Sequence, residues 1–114
     1  MKLIKIEETR SWELPGHEGS LSREIATASQ GATQVAVHTT TLAPCGLSEP
    51  ECHPTSEQVF VVLSGELVFR DGQGLELVSG PGTAVFIPIN APHAVTNEGI
   101  EDAVVMVVTA PPLP

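Results

Sequence analysis

The stretch ECHPTSEQ, from Glu51 to Gln58, brings a carboxylate, an imidazole and an amide close together in the chain. Alternate residues of an extended segment face the same side, so Glu51 and His53 can point together into one cavity while Cys52 points away. That geometry suits a chelate. Gln58 follows the short loop PTSE and opens a strand on which, if it faces inward, Phe60 and Val62 share its side. A second imidazole, His93, lies far along the chain in GPGTAVFIPINAPHAVTNEG. To join the others it has to come from a neighbouring strand on the far side of a closed or nearly closed sheet. Glu51, His53, Gln58 and His93 then converge on one ion.

Two imidazoles, a carboxylate and an amide leave coordination positions for water or substrate, and their nitrogen and oxygen character suits one divalent ion, Fe, Mn, Co, Ni or Zn. Such an ion can polarise a carbonyl or enediol oxygen, lower the pKa of bound water or, as iron, bind O₂ beside a substrate. The competing arrangement is metal-free: His93 bonds a backbone carbonyl, and Glu51, His53 and Gln58 hydrogen-bond one another. Glu49 is the substitute for Glu51, and Glu57 for Gln58 if the loop before it is shorter. His38, in VAVHTTTL, alternates onto one face with Thr40 and Leu42. Inward, it is the catalytic candidate, a substrate contact or acid/base group; outward, it is a surface histidine. Phe60 and Phe86 read as core, Cys52 as an inert thiol, and His17, in a polar loop, carries no signal.

The segments that must position these side chains are short, rich in Val, Ile and Thr, and separated by Gly and Pro, which favours many strands over a few long helices. REIATASQGATQVAVHTTTLAP reads as two strands around Gln30-Gly31, with SLSREIATAS as the one helix-compatible alternative. A proline-marked loop through Pro50 follows, then the strand QVFVVLSGELVF, a turn at RDGQG, LELV leading into GTAVFIPI, and the last strand AVVMVVT. An antiparallel sandwich or small barrel is expected.

The stretch around His93 resembles the second sequence motif of the cupins, a glycine, five residues, a proline, one residue, a glycine, two residues, a histidine, three residues and an asparagine. Gly82, Pro88, Asn90, His93 and Asn97 occupy these positions, Asn90 replacing a glycine. Asparagine tolerates positive φ better than most residues, so the turn can survive the change. The first cupin motif has two histidines separated by one residue, then a glutamate and a later glycine. Counted back from Gly65, Glu51, His53 and Gln58 stand at those positions; counted forward from Gly46, Cys52 takes the first. The downstream count follows the closer likeness, HPTSEQVFVVLSG. The resemblance covers roughly residues 33–109. It implies an all-β fold, a small antiparallel β-barrel or jelly roll with a metal near its middle, and pairing of two copies through edge strands. It does not choose a reaction, because cupins include dioxygenases, isomerases, lyases, sugar-binding modules and storage proteins.

Composition narrows the remaining classes. At 114 residues with 41% hydrophobic residues, the chain is the size of one domain, residues 1–114, able to build a core without disulfides. A formal charge of −9 disfavours nucleic acid and anionic membrane surfaces as partners. Charges at Lys5, Glu7 and Glu8 interrupt the N-terminus, no run reaches membrane-spanning length, and two cysteines are too few for a disulfide framework. A cytoplasmic homodimer with a small-molecule ligand is expected. Its function is either that of a metal-dependent enzyme on a small oxygenated molecule, by oxygenation, isomerisation or elimination, or that of a non-catalytic binding or sensing module built on the same barrel.

Overall fold

Each β-branched segment forms a strand, and the glycine-marked turns between them send successive strands to one or other of two antiparallel sheets. The computed structural model describes residues 1–14 and 16–114. Its strands are β1 (Ser11–Trp12), β2 (Ser20–Ala26), β3 (Ala36–Leu42), β4 (Glu57–Ser64), β5 (Leu67–Arg70), β6 (Glu76–Ser79), β7 (Ala84–Ile87), β8 (Ala94–Thr96) and β9 (Ala103–Ala110). One sheet has the order β1-β2-β3-β9-β4-β7 and the other β6-β5-β8. This is the expected all-β jelly roll. No helix among the described residues is long and apolar enough to cross a membrane.

The register defines the inner face of the large sheet. One row runs Glu24, His38, Val107, Phe60, Val85, and the next Ser22, Thr40, Val105, Val62. The β9 and β4 part of these rows is apolar and meets Leu67, Phe69 and Val95 of the small sheet in the core. The β2 and β3 part is polar. The core therefore fills one end of the space between the sheets and leaves hydrophilic side chains facing the other.

Two expectations change. QVFVVLSGELVF is not one strand: it breaks at Gly65 into β4 and β5, which belong to different sheets. Gly65 has φ +73°, and a Cβ there would lie 2.6 Å from the Asp102 carbonyl oxygen and 2.7 Å from Ala103 Cα, so only glycine fits this corner. Phe86 is not core; it stands on the outer face of β7 and is 55% exposed. The helix-compatible stretch SLSREIATAS is strand over Ser20–Ala26. Only Ala28–Gln30 coil into a 3₁₀ turn, capped by Thr27, with Gly31 left-handed at its end.

That 3₁₀ turn closes over Glu24, which is buried at 2% exposure. Its carboxylate accepts from Arg10 Nε at 3.2 Å and Nη2 at 3.0 Å, Ser29 Oγ at 3.1 Å and Gln30 Nε2 at 3.3 Å. Burial pulls its pKa upward, but the bonds from Gln30, Arg10, Ser29 and Thr27 together hold it below the ordinary carboxylate value. Because the folded-state pKa is depressed, the stabilisation is complete above the unfolded pKa and is lost as pH falls through the folded one. Glu24→Gln should therefore cost about 1–2 kcal/mol in urea unfolding at pH 7. The gap to wild type should shrink as the pH falls below the ordinary carboxylate range, and a gap that persists in acid would contradict the ion-pair account.

Candidate metal centre and its cavity

The segment before β4 is not in a named strand, yet it runs antiparallel to β8 as an irregular edge of the small sheet. Cys45 N–H donates to Asn97 O, Asn97 N–H to Gly46 O, Ser48 N–H to Val95 O, and Glu51 and His93 exchange both backbone bonds at 2.9 Å. Leu47 pairs with Thr96 and Glu51 with His93. His93 is thus the immediate backbone partner of Glu51, which corrects the expectation that it reaches the others from across the barrel. It does stand opposite Gln58, which belongs to the large sheet.

Asn90 has φ +61°, the left-handed conformation anticipated for it, and its N–H donates to His53 O at 2.7 Å. The turn before His93 therefore fixes the backbone of His53. Asn97 is buried and structural: its Nδ2 donates to Leu42 O at 2.9 Å and Glu101 O at 2.8 Å, and its Oδ1 accepts from Gly99 N–H.

Potential ligand atoms of Glu51, His53 and His93 all lie within 4.8 Å of one another. His93 Nδ1 is 3.0 Å from Ala91 O; a carbonyl only accepts, so Nδ1 donates there and Nε2 is the ring nitrogen left to ligate. Burial lowers the His53 pKa, opposed by the Glu51 charge and reinforced by His93, and keeps this imidazole neutral at pH 7. Buried Gln58 donates through Nε2 to Thr109 Oγ1 at 3.0 Å, and its Oε1 has no hydrogen-bond partner. An orphaned buried acceptor beside two imidazoles and a carboxylate is a donor set that fits a divalent ion. Glu49 and Glu57, the substitutes considered, are both exposed, and so is Cys52.

His17, whose place in the sequence carries no signal, joins the cluster. The loop Gly16–Gly19 is stitched to the segment before Glu51 by Glu49 N–H to Gly16 O and Leu47 N–H to Glu18 O. Its imidazole Nε2 lies 2.9 Å from Glu51 Oε1, while Glu51 Oε2 faces His53 Nε2 at 3.5 Å. One carboxylate oxygen is thus held by His17 and the other is turned toward the histidines. Only tertiary contact brings these loops together, and no local spacing signals it.

These side chains open onto a cavity of about 190 Å³. Phe60, Leu42, Val105 and Val107 give it apolar walls, Ser22, Thr40 and His38 a polar one, and half-exposed Leu14 and Leu113 also line it. No Lys or Arg is among the described lining residues. His38 faces inward, which settles its two possible orientations. Its ring centroid is 5.5 Å from that of Trp12, and burial lowers its pKa.

The family model described as the cupin domain matches residues 38–109. The polyketide cyclase RemF from Streptomyces resistomycificus is similar in structure, with TM-score 0.87 and 25% identity over 100% of this chain and 82% of that one. A protein of Thermus thermophilus is 36% identical over 70% of this chain and 75% of its own, with TM-score 0.66. A sugar phosphate isomerase from Silicibacter pomeroyi shares the fold at TM-score 0.81 and 22% identity, over 96% of this chain and 75% of that one. No curated protein matches.

The His17 contact has a measurable consequence. His17→Ala should weaken cobalt(II) binding about 10–100-fold, the usual effect of removing a group that orients a ligating carboxylate. Competition titration against a chelator reads the affinity, and unchanged affinity would show that His17 does not orient Glu51.

Proposed function

This chain belongs to the cupin family, and from that premise we propose that it is a metal-dependent enzyme acting on a small, neutral, oxygen-rich molecule. In this reading Glu51, His53 and His93 hold one divalent ion, and Gln58 supplies a fourth donor through Oε1. The observation that carries it is the Glu51, His53, His93 cluster opening onto a cavity whose described lining contains no Lys or Arg. A phosphate or carboxylate substrate would find no cationic side chain there.

When bound, the ion supplies Lewis acidity toward a carbonyl or enol oxygen. The chain does the rest. Glu51 offsets the charge of the site, the bond from His93 Nδ1 to Ala91 O orients that ring with Nε2 as its ligating nitrogen, and burial favours the neutral form of His53 that can ligate. Apolar walls exclude water from the bound molecule. His38, neutral and inward-facing, can accept a proton at one ring nitrogen and return it from there, the role a carbonyl-directed elimination or isomerisation requires. Its presence supports an enzyme over a non-catalytic binding module, which needs no acid/base group beyond the ligands. The likeness of the whole of this chain to 82% of a polyketide cyclase supports carbonyl-rich or phenolic substrates and an elimination or cyclisation.

The cytoplasm and a homodimer complete the proposal. β1 and β7 are the free edges of the large sheet, and β7 presents Phe86 outward, so edge-to-edge pairing has an apolar surface to cover. Light scattering in solution should give twice the 12.0 kDa chain mass, and a monomer at micromolar concentration would remove the dimer. For the metal, elemental analysis of protein purified without a metal-binding tag should find near-stoichiometric ion in wild type and none in His93→Ala. Full occupancy in the variant, or no ion in reconstituted wild type, would overturn the ligand assignment.

A further inference from the structure

We propose that His38 and the Ser22–Thr40 hydroxyl pair form a second recognition station, which selects ligands carrying a neutral hydroxyl or carbonyl oxygen at the end away from the metal-binding side chains. This rests on the cavity being the substrate site, as proposed above, but not on the metal.

This wall of the cavity has hydrogen bonds left unspent. Ser22 Oγ and Thr40 Oγ1 lie 2.8 Å apart, a contact that uses one of their two O–H donors and leaves the other for a third group. Ser22 is buried, so that third group must come from the cavity. The His38 imidazole makes no hydrogen bond to any described residue, although it is mostly out of solvent on the same wall. Burial holds it neutral, so it offers one donor and one acceptor. Trp12, 5.5 Å away and itself covered by the Arg10 guanidinium at 5.2 Å, fixes the imidazole from one side.

Position and charge define the ligand. His38 and Phe60 occupy one row of the large sheet two strands apart, a span of about 10 Å. The Phe60 ring is 6.0 Å from that of His93. A molecule with one oxygen near His93 and another at His38 therefore lies along Phe60 and Val107, a flat apolar floor. The nearby cation Arg10 is already engaged with Glu24, the register neighbour of His38, so an anion gains no charged partner at this end. Neutral oxygens separated by a planar apolar body, as in a polycyclic phenol or its keto tautomer, match both ends.

The experiment uses 1,6-dihydroxynaphthalene, with oxygens at opposite ends, against 1-naphthol, which has one. Calorimetry gives the Kd of each, and the indole cross-peak of Trp12, the only tryptophan, reports occupancy of the station without reference to the metal. In wild type the diol should bind about tenfold more tightly than the naphthol and shift the Trp12 peak. His38→Ala and the Ser22→Ala/Thr40→Val double variant should each bring that ratio close to one while leaving naphthol affinity within about twofold, and His38→Gln should restore part of it. A diol that binds no tighter than naphthol, or not at all, overturns the station; so does a ratio unchanged in both variants or an unmoved Trp12 peak. Elemental analysis of the same samples separates the two readings. Metal retained with no diol preference defeats the station alone, whereas a diol preference in wild type that holds no ion even after reconstitution supports the station and defeats the metal assignment.

Discussion

The reciprocal backbone hydrogen bonds between Glu51 and His93 are the constraint on which the candidate site depends. Each such bond contributes about 1 kcal/mol net, which is modest. Their larger effect is geometric, because they join two loops more than forty positions apart and leave both side chains on the cavity side. Asn90 then ties the same turn to His53, so a single backbone frame carries all three clustered side chains. A side chain mounted on paired backbone loses little further freedom on binding an ion, which is the physical meaning of preorganisation.

Around that frame the polar and apolar parts of the interior are segregated. Valines of β9 and β4 pack on the small sheet, whereas serine, threonine and histidine of β2 and β3 face the remaining space. The cavity follows from this division: polar side chains on one wall do not interdigitate with the apolar ones opposite, and room is left between them. Desolvation penalises the charged form of His53 and His38, so the same burial that shapes the cavity lowers the pKa of these two imidazoles and favours their neutral forms.

The motif positions were legible because each has a local backbone cause. Gly82 and Gly65 sit at positive φ, Asn90 adopts the left-handed conformation that its side chain tolerates, and Pro88 lies in the turn whose carbonyl accepts from Ala91. Alternation correctly sent Glu51 and His53 inward and Cys52 outward. It misled at Phe86, since an edge strand's aromatic can face out as readily as in, and at QVFVVLSGELVF, where continuous hydrophobicity concealed a corner between sheets.

The strand-forming segments, the all-β class and the residues from which a metal site could be built are legible in the residues alone, because these depend on side-chain type and on spacing within a few positions. Only the tertiary structure decided that Glu51 and His93 are backbone partners, that His17 grips the carboxylate of Glu51 and that His38 faces the cavity beside Trp12. Those facts follow from how loops cross and how strands from separate parts of the chain come into register, and local propensity carries no record of either.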